Sequence, residues 1–191
     1  MKLQILGSGT STGVPEIGCI CAVCTSNDAR DKRLRTSALL HTDNEHILID
    51  CGPDFREQML RLDTFHKLDA VLLTHEHYDH VGGLDDLRPF CKFGEIPVVA
   101  DNYAATHLKE RMPYCFGENL YPGVPRIYLQ VATPGDAFKI GETTIFPIQV
   151  MHGKLPNPKA IPLTKNIHDV IDITERKPLG LYYENSKYYP E

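Results

Sequence analysis

Apolar residues recur along this chain with two periods, and the switches between them mark the elements. KLQILGSG (2–9) alternates apolar and polar positions before meeting glycine, which predicts a strand ending in a turn. SALLHT (37–42) and HILIDCG (46–52) are apolar runs separated by Asp-Asn-Glu, which predicts a hairpin. Pro53 then opens a predicted helix, PDFREQMLRL (53–62), because proline suits a first helical turn. DAVLLT (69–74) is short and apolar and predicts a buried strand. GLDDLRPF (83–90) predicts a short helix, IPVVAD (96–101) a strand, and NYAATHLKERM (102–112) a helix. RIYLQVA (126–132), AFKI (137–140) and TTIFPIQVM (143–151) predict three more strands. Strands interleaved with helices imply an α/β protein with helices layered on sheet.

Beyond position 152 the pattern weakens. GKLPNPKAIPLTKNIHDVIDITERKP (153–178) is proline-rich and reads as a long loop or insertion. LGLYYENSKYY (179–189) reads as a hairpin turning at Asn185-Ser186. No repeat or low-complexity linker divides the chain, and 191 residues suit one domain spanning 1–191.

Charge narrows the partners. A net charge of −5 gives no basic footprint, so nucleic acid is not expected as a partner. No apolar run is long enough to span a membrane. MKLQILGSGT lacks the apolar stretch of a secretion signal, so the six cysteines are expected to be reduced and the setting cytoplasmic.

The chemistry concentrates in THEHYDH, directly after the strand 69–74. His75 and His77, two apart after extended chain, point the same way and can share one ion. Asp79 and His80, one turn further, can take a second. Imidazole with carboxylate suits zinc, manganese or iron. Gly82-Gly83 allows a tight backbone turn beside the site.

This motif resembles the signature of the metallo-β-lactamase-fold hydrolases, His-x-His-x-Asp-His at the end of a buried strand, and the resemblance covers at least residues 1–152. It implies an αββα sandwich of two similar halves and two divalent metals, zinc or manganese, at the active site. It also implies a third histidine for the first metal, for which His152 in TIFPIQVMHG is the candidate. Asp50, in ILIDCG, resembles the family's Asp-x-Gly motif and is expected to orient metal ligands, alone or alongside a role as helix N-cap before Pro53.

GCICAVC places Cys19, Cys21 and Cys24 on one loop, where three thiolates can hold a structural zinc with one further ligand. With LGSGTSTGVPEIGCICAVC and RDKRLRTSALL, this loop resembles the branch containing the phosphoribosyl 1,2-cyclic phosphate phosphodiesterase. Protein B of pyrroloquinoline quinone synthesis carries a similar cysteine loop, and ribonuclease Z shares the glycines without the cysteines. The resemblance implies a histidine near the C-terminus as the fourth zinc ligand. Arg30, Lys32, Arg33 and Arg35 offer a grip for a substrate phosphate, or equally a solvated loop. Thr10, Ser11 and Thr12 are weaker candidates for the same task. Cys51, Cys91 and Cys115 read as packing residues.

The family's later bridging aspartate and last histidine have no counterpart in PLGLYYENSKYYPE, so residues 153–191 read as diverged or truncated. His168, Asp169 and Asp172 are substitute ligands, with Glu191 a further carboxylate. An uncovered second sheet would favour a homodimer. The expected function is a metal-dependent phosphodiesterase that hydrolyses a small cyclic phosphate ester through a metal-bound hydroxide, with Asp79 and Asp50 among its catalytic groups. The alternatives are a ribonuclease Z-like nuclease and a non-catalytic metal-binding protein with a degenerate second site.

Overall fold

The computed structural model describes residues 1–117 and 120–149, and the backbone of 159–160. Its centre is a six-stranded sheet in the order β1 (Lys2–Gly7), β2 (Ser37–His41), β3 (His46–Ile49), β4 (Ala70–Leu72), β5 (Ile96–Ala100), β6 (Ile127–Val131). The first three strands pair antiparallel, with His41 opposite His46 at the predicted hairpin. β3 to β6 run parallel, so each connection must cross a face of the sheet.

Those crossovers bury both faces. On one, Leu39, Leu48, Val71 and Val98 pack against Phe55, Leu84, Leu87 and Leu108. Phe55 belongs to α1 (Phe55–Leu60) and Leu108 to α3 (Asn102–Arg111). On the other, Leu40, Ile47, Ala70, Leu72 and Val99 pack against Ile140 and Ile145. These come from the hairpin of β7 (Phe138–Ile140) and β8 (Thr143–Ile145). A strand buried on both sides has no polar face, which is why SALLH, HILI and AVL read as continuous apolar runs. Glu45 ties the β2–β3 turn to the β7–β8 hairpin, accepting the Glu142 N–H at 2.8 Å and the Thr143 hydroxyl at 2.9 Å. α3 forms where the sequence places it, because the Asp101 side chain caps it by accepting the N–H groups of Tyr103 and Ala104.

Three boundaries differ from the sequence reading. The helix predicted over 53–62 is confined to Phe55–Leu60, after a turn at Pro53 and Asp54. The helix predicted over 83–90 is a 3-10 segment, Leu84–Phe93, with Pro89 inside it. Proline cannot donate the α-helical hydrogen bond and crowds the carbonyl four residues back, so tighter turns replace the α-helix. The strand predicted over 143–151 breaks at Phe146 and Pro147 and resumes as β9 (Ile148–Gln149). β9 pairs antiparallel with β10 (Lys159–Ala160), which lies inside the segment read as a loop. The hairpin read over 179–189 lies outside the described residues.

Candidate metal centre

β4 is central in the sheet, so the loop after it emerges over the middle of the strand ends, where open parallel sheets bind ligands. His77 is still extended (φ −63°, ψ 146°) and occupies the position just before α2 (Tyr78–Val81). The chain therefore presents His75 and His77 from an extended stretch and Asp79 and His80 from a helical turn, as the spacing predicts.

The side chains meet in two pairs. His75 Nε2 lies 3.0 Å from His77 Nδ1. His80 Nε2 lies 3.3 Å from Asp79 Oδ2. Two donors on one tetrahedral zinc, each about 2.0–2.1 Å from it, sit about 3.3 Å apart. Both pairs fit that separation, so the residues present suit two ions. The rings of His75 and His80 are 4.1 Å apart, which makes the pairs neighbours.

Asp50 organises the site from beneath. It is 2% exposed and takes a positive φ of 58°, a backbone conformation uncommon for a residue with a side chain. Its carboxylate accepts the Thr74 N–H at 2.8 Å and the Thr74 hydroxyl at 2.9 Å. The same carboxylate lies 2.7 Å from His80 Nδ1. This is the carboxylate–histidine arrangement that turns the opposite nitrogen toward a metal. Burial drives the His80 pKa down. The Asp50 hydrogen bond and the charges of Asp50 and Asp79 outweigh it, so the imidazole titrates above its ordinary value. The carboxylate is thus committed to Thr74 and His80; the position capping α1 is Asp54.

Glycine acts here through close approach. The Cys51 N–H donates to the His80 carbonyl at 2.8 Å, and the Gly83 N–H to the Cys51 carbonyl at 2.8 Å. A Cβ on Gly52 would lie 2.1 Å from the Asp79 carbonyl oxygen, and one on Gly83 2.1 Å from that of Gly52. Only two glycines let the Asp50 turn and the Asp79–Gly83 turn pack backbone to backbone.

Two residues escaped the sequence reading. Thr74 joins Asp50 to the rings of His75 (3.0 Å) and His80 (3.3 Å). Its place directly before His75 is a signal of sorts. Arg111, at the end of α3, donates to the Glu76 carbonyl at 2.6 Å, between His75 and His77. Nothing local in the sequence points to that contact. His152, His168, Asp169, Asp172 and Glu191 lie outside the described residues.

Cys19, Cys21 and Cys24 come together, their sulfurs all within 4.8 Å of one another. The Cys24 N–H heads the contacts that lower the Cys21 pKa to about 7, toward the thiolate that binds metal. Three thiolate donors at this spacing fit zinc. Cys51, Cys91 and Cys115 are buried, as packing residues should be. Part of the basic stretch is engaged by neighbouring groups while staying at the surface. Arg30 pairs with Asp28 at 2.6 Å, Lys32 reaches the Ser26 carbonyl, and Arg35 binds Asp54 at 2.7 Å and the Ser11 carbonyl. Thr10 and Thr12 face each other at 3.3 Å.

A mixed sheet with a His-x-His-x-Asp-His loop at the ends of its parallel strands, over a buried aspartate, defines the metallo-β-lactamase fold. The chain belongs to the β-lactamase superfamily, whose domain profile matches residues 45–178. A Porphyromonas gingivalis protein named octanoyltransferase is 52% identical over 157 residues, 82% of this chain and 32% of that protein. Coenzyme PQQ synthesis protein B of Methylorubrum extorquens is 35% identical over 121 residues, 53% of this chain and 40% of that one. The chain therefore spans about a third to two fifths of these curated relatives. Among solved structures, a diphosphatase of the PhnP family aligns with a TM-score of 0.74 and 37% identity, covering 84% of this chain and 61% of that one. Zinc-bound PqqB aligns at 0.65 and 24% identity, covering 78% and 52%, a likeness of fold.

Proposed function

We propose that this chain is a metal-dependent hydrolase, a phosphodiesterase whose substrate is a small cyclic phosphate ester. The observation that carries the reading is the adjacency of two metal-spaced pairs, His75 with His77 and Asp79 with His80, over the buried carboxylate of Asp50. The likeness to a PhnP-family diphosphatase supports phosphate chemistry. Octanoyl transfer is named for a protein two thirds of which lies outside the match.

Divalent ions bound there, zinc or manganese, supply Lewis acidity and lower the pKa of water. The protein's part is to hold and aim. His75 and His77 hold one ion and Asp79 with His80 the other. Asp50 fixes the tautomer of His80 so that Nε2 faces the site. Thr74 braces the rings of His75 and His80, and Arg111 holds the backbone between His75 and His77. The cysteine triad carries a structural zinc that fastens the loop. In this reading the protein works in the cytoplasm, where thiols stay reduced, and needs neither nucleic acid nor membrane. Among the described residues no helix is long and apolar enough to cross a bilayer.

The test combines elemental analysis of the full chain with hydrolysis of bis(p-nitrophenyl) phosphate and of a ribose cyclic phosphate diester. Wild type is expected to carry metal and turn over a diester, and His77→Ala to lose an ion and at least about 100-fold in rate. Undiminished hydrolysis by His77→Ala would overturn the proposal. A metal-loaded wild type that turns over neither diester would leave a metal-binding protein without this activity.

A further inference from the structure

At the opposite end of the sheet three other histidines converge. His41 ends β2 and His46 begins β3, and the two are directly opposite in the hairpin register. They share the face of Leu39 and Leu48, on which α1 packs. His66, on the exposed loop between α1 and β4, closes over them. Ring centroids are 4.3 Å apart for His46 and His66, 5.0 Å for His41 and His46, and 6.3 Å for His41 and His66.

We propose that His41, His46 and His66 form a separate binding site for one divalent transition-metal ion of the zinc type, which fastens the α1–β4 loop to the β2–β3 hairpin. Two imidazoles on one tetrahedral ion, each nitrogen about 2.0–2.1 Å from it, have ring centroids about 5 Å apart. His46 is within about 1 Å of that value from both neighbours. His41 and His66 are 6.3 Å apart and the three rings do not bring their nitrogens within 4.8 Å of one another, so ligation requires the rings to rotate, His66 on its exposed loop foremost.

The surroundings suit ligation. His41 Nε2 is 3.1 Å from Gln4 Oε1, an oxygen with no proton to give. Nε2 is therefore the donor, which leaves the Nδ1 lone pair for a metal in the way an outer partner orients a metal-bound histidine. Burial, then the charges of His46, Lys2 and His66, lower the pKa of His41 and favour the neutral form that binds metal. Asp69 does not compete for the imidazoles. One of its oxygens accepts the His46 backbone N–H at 2.9 Å and the other pairs with Lys67 at 2.8 Å. Among the described residues no carboxylate pairs with any of the three rings, so their clustering gains nothing from protonation. Lys2, opposite His41 on β1, works against a cation and sets the site's affinity below that of a carboxylate-bearing one.

The experiment is equilibrium dialysis of the full chain against Zn²⁺ at pH 7.5 with elemental analysis, comparing wild type with His66→Ala and His46→Gln. Either variant is expected to bind one zinc per chain fewer, or that zinc at least about 10-fold more weakly, with the remaining ions retained. Equal zinc content at every free concentration would overturn the site. Because a variant can fail for want of folding, ¹⁵N-imidazole spectra of wild type titrated with Zn²⁺ give a second readout. The resonances of His41, His46 and His66 should shift together over one equivalent, after the tighter active-site and cysteine sites have filled; their staying fixed through saturation would overturn it equally.

Discussion

Asp50→Asn replaces one carboxylate oxygen by an NH₂ group and separates the roles of this buried carboxylate. In wild type Oδ1 accepts the Thr74 N–H, and Oδ2 lies 2.7 Å from His80 Nδ1. An amide offers one acceptor and one donor. The Thr74 N–H can only donate, so the amide oxygen must stay with it, and the NH₂ then faces His80. That NH₂ needs an acceptor, so His80 gives up its Nδ1 proton and carries it on Nε2. This is the nitrogen that faces Asp79 and the proposed ion. Losing an orienting partner of this kind costs about 10–100-fold in metal affinity, and a reversed tautomer belongs at the upper end. The fold is affected less. Asparagine tolerates positive φ as aspartate does, so the cost is one charge-assisted bond, about 1–2 kcal/mol, or roughly 2–8 °C in Tm for a chain of this size. Asp50→Ala is harsher. It strands the buried Thr74 N–H and His80 and puts a Cβ residue without a local acceptor at φ 58°, costing about 3–5 kcal/mol together. The assays are metal stoichiometry against free Zn²⁺, imidazole ¹⁵N shifts for the tautomer, and thermal melting. A folded Asp50→Asn variant that keeps both active-site ions within 3-fold of wild-type affinity would refute the orienting role.

Gly83→Ala should lose at least about 3 kcal/mol, because its Cβ would meet the Gly52 carbonyl at 2.1 Å and neither backbone can yield; a melt within 2 °C of wild type would contradict this. In metal-free protein Cys21 should alkylate with a pH midpoint of about 7, and Zn²⁺ should protect it; a midpoint near 9 would contradict the local geometry. The His41 pKa is lowered on folding, so the unfolded chain takes up the proton first. Its contribution to stability is complete above about pH 6.5 and fades as pH falls through the lower folded value, so metal-free wild type should lose more stability than His41→Gln on acidification. Melting curves from pH 8 to 5 that stay parallel for the two proteins would exclude it.

The α/β class, the hairpin at 43–45, the central strand and the gathering of His75, His77, Asp79 and His80 at its end were legible from the sequence. Each rests on interactions within a few residues: strand period, turn chemistry and the two-residue spacing of ligands on extended chain. The apolar runs were also informative, because burial on both faces of a parallel sheet removes polar positions. What tertiary structure alone decided lies between distant segments. Position 50 reaches 74 and 80 because β3 and β4 are parallel neighbours, and that pairing sets the Asp50 carboxylate against Nδ1 of His80. Gly83 reads as a turn former and Gly52 only as part of Asp-x-Gly, yet the small size of both matters because two turns pack backbone to backbone. Arg111 reaches Glu76 only because α3 returns across the sheet. Arg35 is turned to Asp54 by the course of the loop, whereas Arg30 and Lys32 stay at the surface beside Asp28 and Ser26. His41, His46 and His66 are scattered over 26 positions and form a cluster only where the hairpin and the α1–β4 loop meet. Spacing along the chain fixes local chemistry; contacts across the sheet fix which groups share a proton, a carbonyl or an ion.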